Sequence, residues 1–222
     1  MTTDTRTLTT TDQGTHAADA HGGGGGISNV ILGMLLFITS EVMFFAGLFA
    51  AYFNVRANAS QWPPINPESI PPEPFHLAIL PLVGPATVLL ILSSFTCQFA
   101  VWGIRRGDRT AFTRNIAVTF AIGVVFLIMQ AIDYATLGSE GITLSAGTFG
   151  TTYFTLTGFH GAHVFGGVIM LGVVLYRGMA GQFSARHHDA VEAVSLYWHF
   201  VDVVWILLFS LLYLLPGNAP RV

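Results

Sequence analysis

Five apolar runs in this sequence are each long enough to cross a lipid bilayer, which takes about 20 helical residues at about 1.5 Å each. They lie at about residues 29–53, 80–103, 115–137, 151–176 and 194–215. Nothing else in the sequence constrains the fold so strongly. A backbone in hydrocarbon must satisfy its own polar groups, and a helix does so within itself. Charged residues make up only 9% of the 222-residue chain, against 52% hydrophobic, where a soluble domain carries about a quarter charged. The reading is an all-α integral membrane protein with five transmembrane helices in one domain over residues 29–217. Residues 1–28 are rich in Thr, Asp, Ala and His and contain a glycine run. With no apolar core of their own, they are expected to form a disordered tail. They lack both the apolar stretch of a signal peptide and the Arg-rich, acid-poor character of a transit peptide, so no cleaved targeting signal is evident.

The connection from Asn54 to Ile79 holds WPPINPESIPPEP, whose prolines favour an extended, rigid path outside the membrane. The short link between the second and third spans carries Arg105, Arg106, Arg109 and Arg114. Together with Arg6, Arg177 and Arg186 they place seven arginines on one side, against Arg56 and Arg221 on the other. By the positive-inside rule the N-terminus is cytoplasmic and the C-terminus external. A formal charge of -3 argues against nucleic acid or any strongly charged partner. The single cysteine, Cys97, excludes a disulfide framework or thiolate metal cluster within the chain. No internal repeat or inverted pair of interrupted helices marks a transporter.

A charged side chain at mid-bilayer costs about 2.5 to 3.5 kcal/mol on insertion scales, so each intramembrane ionisable residue is a candidate for function. Glu41, in TSEVMFFAGLF, sits near the middle of the first span. It reads either as a neutral, hydrogen-bonded acid that fixes helix packing or as a group that handles protons or meets lipid. Asp133 lies toward the outer end of the third span, one turn after Gln130 and on the same face. The pair is structural or functional with equal ease. The fourth span holds GFHGAHVFGG, in which His160 and His163 share an inward face, while Gly158, Ala162 and Gly166 form a small-residue stripe roughly opposite. The histidines fit interhelical hydrogen bonding better than metal ligation. The fifth span opens with SLYWHFVDVVW, where Ser195, His199 and Asp202 form a polar seam in its cytoplasmic half, preceded by Glu192 at the interface. Ser93, Ser94 and Thr96 read as packing and back-bonding residues, and His187 and His188 as solvated surface groups. Haem-copper chemistry needs histidines from several helices around two metals, and a dinuclear copper site needs paired cysteines. Neither set is present, so no catalytic residue, metal ligand or cofactor is expected in this chain.

Six segments in order, GMLLFITSEVMFFAGLFAAYF, WPP, LLILSSFT, MQAIDY, TGFHGAHVFGG and YWHFVDVVW, closely resemble subunit III of the aa3-type cytochrome c oxidases, the haem-copper terminal oxidases. The resemblance runs from about Ile31 to Gly217, nearly all of the chain outside its tail. It implies an accessory, non-catalytic subunit of a proton-pumping oxidoreductase complex in a bacterial plasma membrane. Haem a, haem a3 and copper would then lie in partner subunits, with cytochrome c as electron donor. It further implies packing against subunit I within a complex that includes subunit II, bound phospholipids, protection from inactivation during turnover and support of proton uptake. By the same resemblance, Glu41 matches the family's intramembrane glutamate, His160 and His163 its two histidines, and Glu192, His199 and Asp202 its acid and polar residues at the fifth span. Arg177 matches an arginine placed near lipid headgroups.

The sequence departs from the family in two ways. The usual member has seven transmembrane helices, and this chain begins where the third would, so an extended subunit I is expected to supply the missing pair. Asp133 stands where the family usually has glutamate, one methylene longer. Two other readings remain open: subunit III of a quinol oxidase, which shares the fold, and a free-standing proton or solute transporter built on Glu41, His160 and Asp133.

Overall fold

The computed structural model describes residues 27–64, 82–139, 141–145 and 147–215. Within them five helices follow in order: α1 Asn29–Asn58, α2 Gly84–Arg105, α3 Arg109–Ser139, α4 Gly147–Met179 and α5 Asp189–Phe209. All five are long and apolar enough to cross a membrane, and no strand occurs among the described residues. The all-helical, five-span architecture expected from the apolar runs is therefore the one observed. The N-terminal tail up to residue 26 and most of the proline-rich connection, residues 65–81, lie outside the described residues.

α1, α3 and α4 overrun the apolar runs that announce them, while α2 and α5 keep about the length of theirs but are displaced along the chain. The 30 residues of α1 make a rod about 45 Å long, whereas the hydrocarbon layer is about 30 Å thick. The surplus turns lie where apolarity no longer marks a helix, and capping does so instead. α3 begins at Arg109 rather than near 115 because Asp108 Oδ1 accepts the Ala111 N–H at 2.9 Å. α2 stops because Gly107 takes φ 78°, which lets the Asp108 N–H reach back to the Gly103 carbonyl at 2.9 Å. Gly181, at φ 73°, ends α4 in the same way, with the Gln182 N–H on the Arg177 carbonyl at 3.0 Å. α5 begins at Asp189 and continues into a wider turn over Ser210–Leu214, where the Leu215 N–H bonds the Ser210 carbonyl five residues back at 3.0 Å.

Antiparallel succession gathers Arg105, Arg106, Arg109, Arg114, Arg177 and Arg186 at one end of the bundle. Arg105 of α2 is ion-paired there with Glu192 of α5 at 2.8 Å. Arg56 lies at the other end, where it donates to the Tyr52 hydroxyl at 3.0 Å, and that hydroxyl donates to the Leu211 carbonyl at 2.8 Å.

α5 is the central helix, packed against α1, α2 and α4. Its Trp198 is fully buried and reaches three neighbours at once. The indole N–H donates to Ser93 Oγ of α2 at 2.9 Å. The ring fills a slot between Gly123 of α3 and Gly167 of α4, where an added Cβ would come within 2.7 Å and 2.9 Å of ring carbons. Close approach thus does not use the stripe of Gly158, Ala162 and Gly166. A Cβ at Gly158 or Gly166 would meet only a tyrosine hydroxyl at an ordinary 3.7 Å. The buried face of α4 instead follows His160, Val164, Gly167 and Leu171, and the glycines that admit a neighbour most closely are Gly161, against Gln130, Gly167, against Trp198, and Gly178, against Phe112.

Trp198→Ala is expected to destabilise the bundle by about 3–5 kcal/mol, the usual range for emptying a buried aromatic site. Gly167→Val should cost at least about 1–3 kcal/mol by forcing the ring from its slot. Thermal unfolding of the detergent-solubilised protein measures both, and unchanged midpoints would refute this account of the core.

Candidate functional site

The intramembrane polar side chains resolve into three clusters, each bridging two or more helices. At mid-membrane, Glu41 Oε2 of α1 lies 2.9 Å from His163 Nε2 of α4, with side chains only 19% and 15% exposed. The other ring nitrogen, Nδ1, sits 2.7 Å from the Phe159 carbonyl one turn back. A carbonyl only accepts, so Nδ1 carries a hydrogen. That fixes what Nε2 and Glu41 can do together: they share a single proton, held either on the carboxyl or on the ring, and the pair is electrically neutral in both forms. Phe45 packs against the ring at a centroid distance of 4.9 Å, and Phe44 lies parallel to it at 6.2 Å. These aromatics keep lipid and water from competing for the bond.

His160, three residues earlier, points to a different neighbour. Three residues are about 60° short of a full turn, enough to carry its ring past α1 into the core. It is completely buried, stacked on Trp205 at 4.9 Å and met edge-on by Phe126 at 6.0 Å. Among the described residues neither ring nitrogen has a hydrogen-bond partner. The indole N–H of Trp205 donates to Thr87 Oγ1 at 2.9 Å, tying this aromatic stack to α2.

The second cluster joins α2 to α5. The Ser94 hydroxyl donates to Asp202 Oδ2 and lies 3.0 Å from His199 Nδ1. Since its one hydrogen is given to the carboxylate, it accepts from Nδ1–H. His199 Nε2 faces the Gln98 amide at 3.4 Å. Asp202 is 4% exposed, and its Oδ1 has no partner among the described residues. Ser195, the third residue of the seam, is buried beside the Cys97 thiol instead.

The third cluster is at the end of the bundle opposite the arginines. Tyr213 and Tyr153 hydroxyls are 2.6 Å apart, and Tyr153 donates to Asp133 Oδ2 at 3.1 Å. Gln130 donates to the Thr157 carbonyl at 2.9 Å, and the Tyr134 hydroxyl meets Thr157 Oγ1 at 2.7 Å. A cavity of about 20 Å³, lined by Gln130, Asp133, Tyr153, Thr157 and the apolar Phe126 and Trp205, opens beside them. That is room for a water molecule. Gln130 and Asp133 therefore share a neighbourhood but meet different partners, Gln130 the Thr157 carbonyl and Asp133 the Tyr153 hydroxyl.

At the arginine end, Glu192 Oε1 accepts from Arg105 Nε and Nη2 at 2.8 Å each, and lies 2.9 Å from His188 Nε2. His188 is thus a bound, 14% exposed group rather than a solvated one, whereas His187 is exposed. Arg177 donates to Gln182 Oε1 at 2.9 Å and lies over the Phe183 ring at 4.9 Å.

Sequence reasoning missed Gln98, Tyr153 and Tyr213, and read Ser94 as a back-bonding residue where it bonds across to α5. Ser93 and Thr96 do bond back to their own helix, at 2.6 Å to the Leu90 carbonyl and 2.9 Å to the Ser93 carbonyl, and each also meets a neighbouring helix, Ser93 through the Trp198 indole and Thr96 through the Thr119 hydroxyl at 2.7 Å. Ser94, between them, makes only bonds across the interface among the described residues. Its spacing of four from Gln98 was the available signal. Among the described residues no three His, Cys, Asp or Glu side chains converge as a metal ion would require.

These clusters belong to a chain whose residues 8–216 match the family model described as cytochrome c oxidase subunit III. Probable cytochrome c oxidase subunit 3 of Mycobacterium bovis is 42% identical over 185 residues, covering 83% of this chain and 87% of that one. Cytochrome c oxidase subunit 3 of Corynebacterium diphtheriae is 41% identical over 184 residues, with the same two coverages of 83% and 87%. The subunit 3 of Podospora anserina is 38% identical over 187 residues, 82% of this chain but only 66% of that longer one. With a family model spanning nearly its whole length and relatives at this identity, the chain belongs to the cytochrome c oxidase subunit III family.

Proposed function

We propose that this chain is the accessory third subunit of a proton-pumping cytochrome c oxidase in a bacterial plasma membrane, with the arginine-rich end facing the cytoplasm. In this reading it holds phospholipid, stabilises subunit I and supports proton uptake, and haem a, haem a3 and copper lie in partner subunits. The observation that carries it is the Glu41–His163 pair, a carboxyl and an imidazole held at 2.9 Å between two membrane helices. Such a bond suits a structural or proton-holding role and leaves neither group free as a metal ligand. The arginine end supplies a complementary feature. Glu192, Arg105 and His188 gather titratable and cationic groups at the end of α5, where protons would be taken up. Arg177, fixed over Phe183, offers a cation to a lipid phosphate.

Glu41→Gln keeps the shape of the pair, because the amide N–H can still donate to His163 Nε2. Stability of the purified oxidase should hardly change. Glu41→Leu leaves that nitrogen without a partner, and should cost about 1–2 kcal/mol, the upper range for an interhelical hydrogen bond in a membrane. Thermal unfolding of the complex separates the two variants; equal losses would show that the hydrogen bond itself contributes nothing.

Oxidase stripped of this chain should begin turnover at close to the normal rate, then lose activity several-fold faster and take up protons more slowly. Oxygen consumption followed over successive turnovers, with proton uptake by a pH dye, measures both. Unchanged lifetime and unchanged uptake would overturn the accessory role.

A further inference from the structure

The polar seam between α2 and α5 is unfinished in the isolated chain. Ser94, Gln98 and His199 are each half-buried and open outward between the two helices, away from α3 and α4. One end of the Gln98 amide meets His199 at 3.4 Å. The other end has no partner among the described residues, and Oδ1 of Asp202, deeper in the same seam, also lacks one. The positions are far from water: Ser94 is near the middle of α2, and Gln98 about 10 Å inside its arginine end at the helical rise.

Exposed hydroxyls elsewhere on the surface do not raise the same demand. Thr39 and Ser40 of α1 bond back to the Leu35 and Phe37 carbonyls at 2.8 Å and 2.7 Å, so they meet lipid with their polar atoms already satisfied. Among the described residues the Gln98 amide makes no such bond back to its own helix, and in hydrocarbon its bare end costs free energy that no acyl chain can return. Polar side chains in membrane helices accordingly face protein. On either side of the seam the surface is apolar and exposed, with Ile91, Phe95 and Trp102 on α2 and Leu196, Val203 and Ile206 on α5. The whole forms a groove with a polar rung at its centre.

We infer that this α2–α5 groove docks a membrane-spanning helix of a partner oxidase subunit that brings a hydroxyl or amide side chain to the level of Gln98. The inference rests on the proposed place of the chain in the oxidase complex and adds to it which face binds and by what chemistry. A phospholipid fails as the occupant because its hydrogen-bonding groups lie at the headgroups. The docked helix supplies what the seam lacks, and a hydroxyl or amide suits either orientation of the Gln98 amide because each donates and accepts. The flanking aromatic and aliphatic side chains would supply the packing contact that association of membrane helices requires.

The test places a benzophenone amino acid at Phe95 and, in a second variant, at Ile128 on the exposed surface of α3, within the whole oxidase in native membranes. Illumination is expected to join position 95 to another oxidase subunit in higher yield than position 128. Adducts of position 95 with lipid only, or with a second copy of this chain, would overturn the inference, as would a partner adduct confined to position 128. In those cases the chain would still co-purify with the oxidase, and its proposed function would stand; failure to co-purify at all would defeat that function itself. In parallel, Gln98→Leu is expected to lower retention of the chain in detergent-purified oxidase by about three- to tenfold, the range for one interhelical hydrogen bond. Gln98→Asn should restore part of it. Full retention of Gln98→Leu would also overturn the inference.

Discussion

The indole of Trp198 decides how closely the helices of this bundle can approach. Four of the five meet at that ring: its own α5, α2 through Ser93, and α3 and α4 through the glycines that make way for it. In a bilayer, burial of apolar surface gives helices little reason to associate, so shape and hydrogen bonding must do so. A large flat ring seated in a slot of two glycines supplies the shape, and its N–H supplies the bond. Once α5 is held there, its remaining faces are assigned. Tyr197 and Phe200 turn to α1, with Phe37 and Phe45, and His199 and Asp202 turn to α2.

The polar groups follow from this placement. The clusters of Ser94 with Asp202 and of Asp133 with Tyr153 sit on contacts between helices that the central ring brings together, whereas the Glu41–His163 pair ties α1, which does not reach that ring, to α4. Most polar atoms in them have a partner on another helix. Oδ1 of Asp202 is one exception and His160 another, enclosed by Phe126 and Trp205 with both nitrogens unpaired among the described residues. The cavity beside those same two rings, with Thr157 one turn before His160 on α4, gives the nearby polar side chains space for a water.

Much of this was legible in the sequence, and the reason is hydropathy: a bilayer imposes helix number and approximate extent on any chain that crosses it. The six matching segments likewise made the family legible, and its relatives agree. Helix ends were less so, because they are set by Asp108, Gly107 and Gly181 through capping geometry outside the apolar layer. The clusters were legible only as residue types. Spacing put His160 and His163 on one side of α4 but did not say that 60° of arc would send one to Glu41 and the other to Trp205. Ser94 and Gln98 were hidden for a related reason. A serine in a membrane helix bonds back to its own carbonyl or across to a neighbour according to its neighbour's register, and register is a property of two helices together.

The hydrogen on His163 Nδ1 has one more consequence. Because it is committed to the Phe159 carbonyl, the proton between His163 and Glu41 has only two resting places, one on each side of a 2.9 Å gap. Moving it changes no net charge. The pair therefore enters the electrostatics of the membrane as a dipole of two sizes, small with the proton on the carboxyl and large with it on the ring, and a charge that arrives near α1 or α4 shifts the balance between them. Ionic strength in the surrounding water would leave such a switch nearly untouched, since a dipole buried in hydrocarbon attracts no counterion.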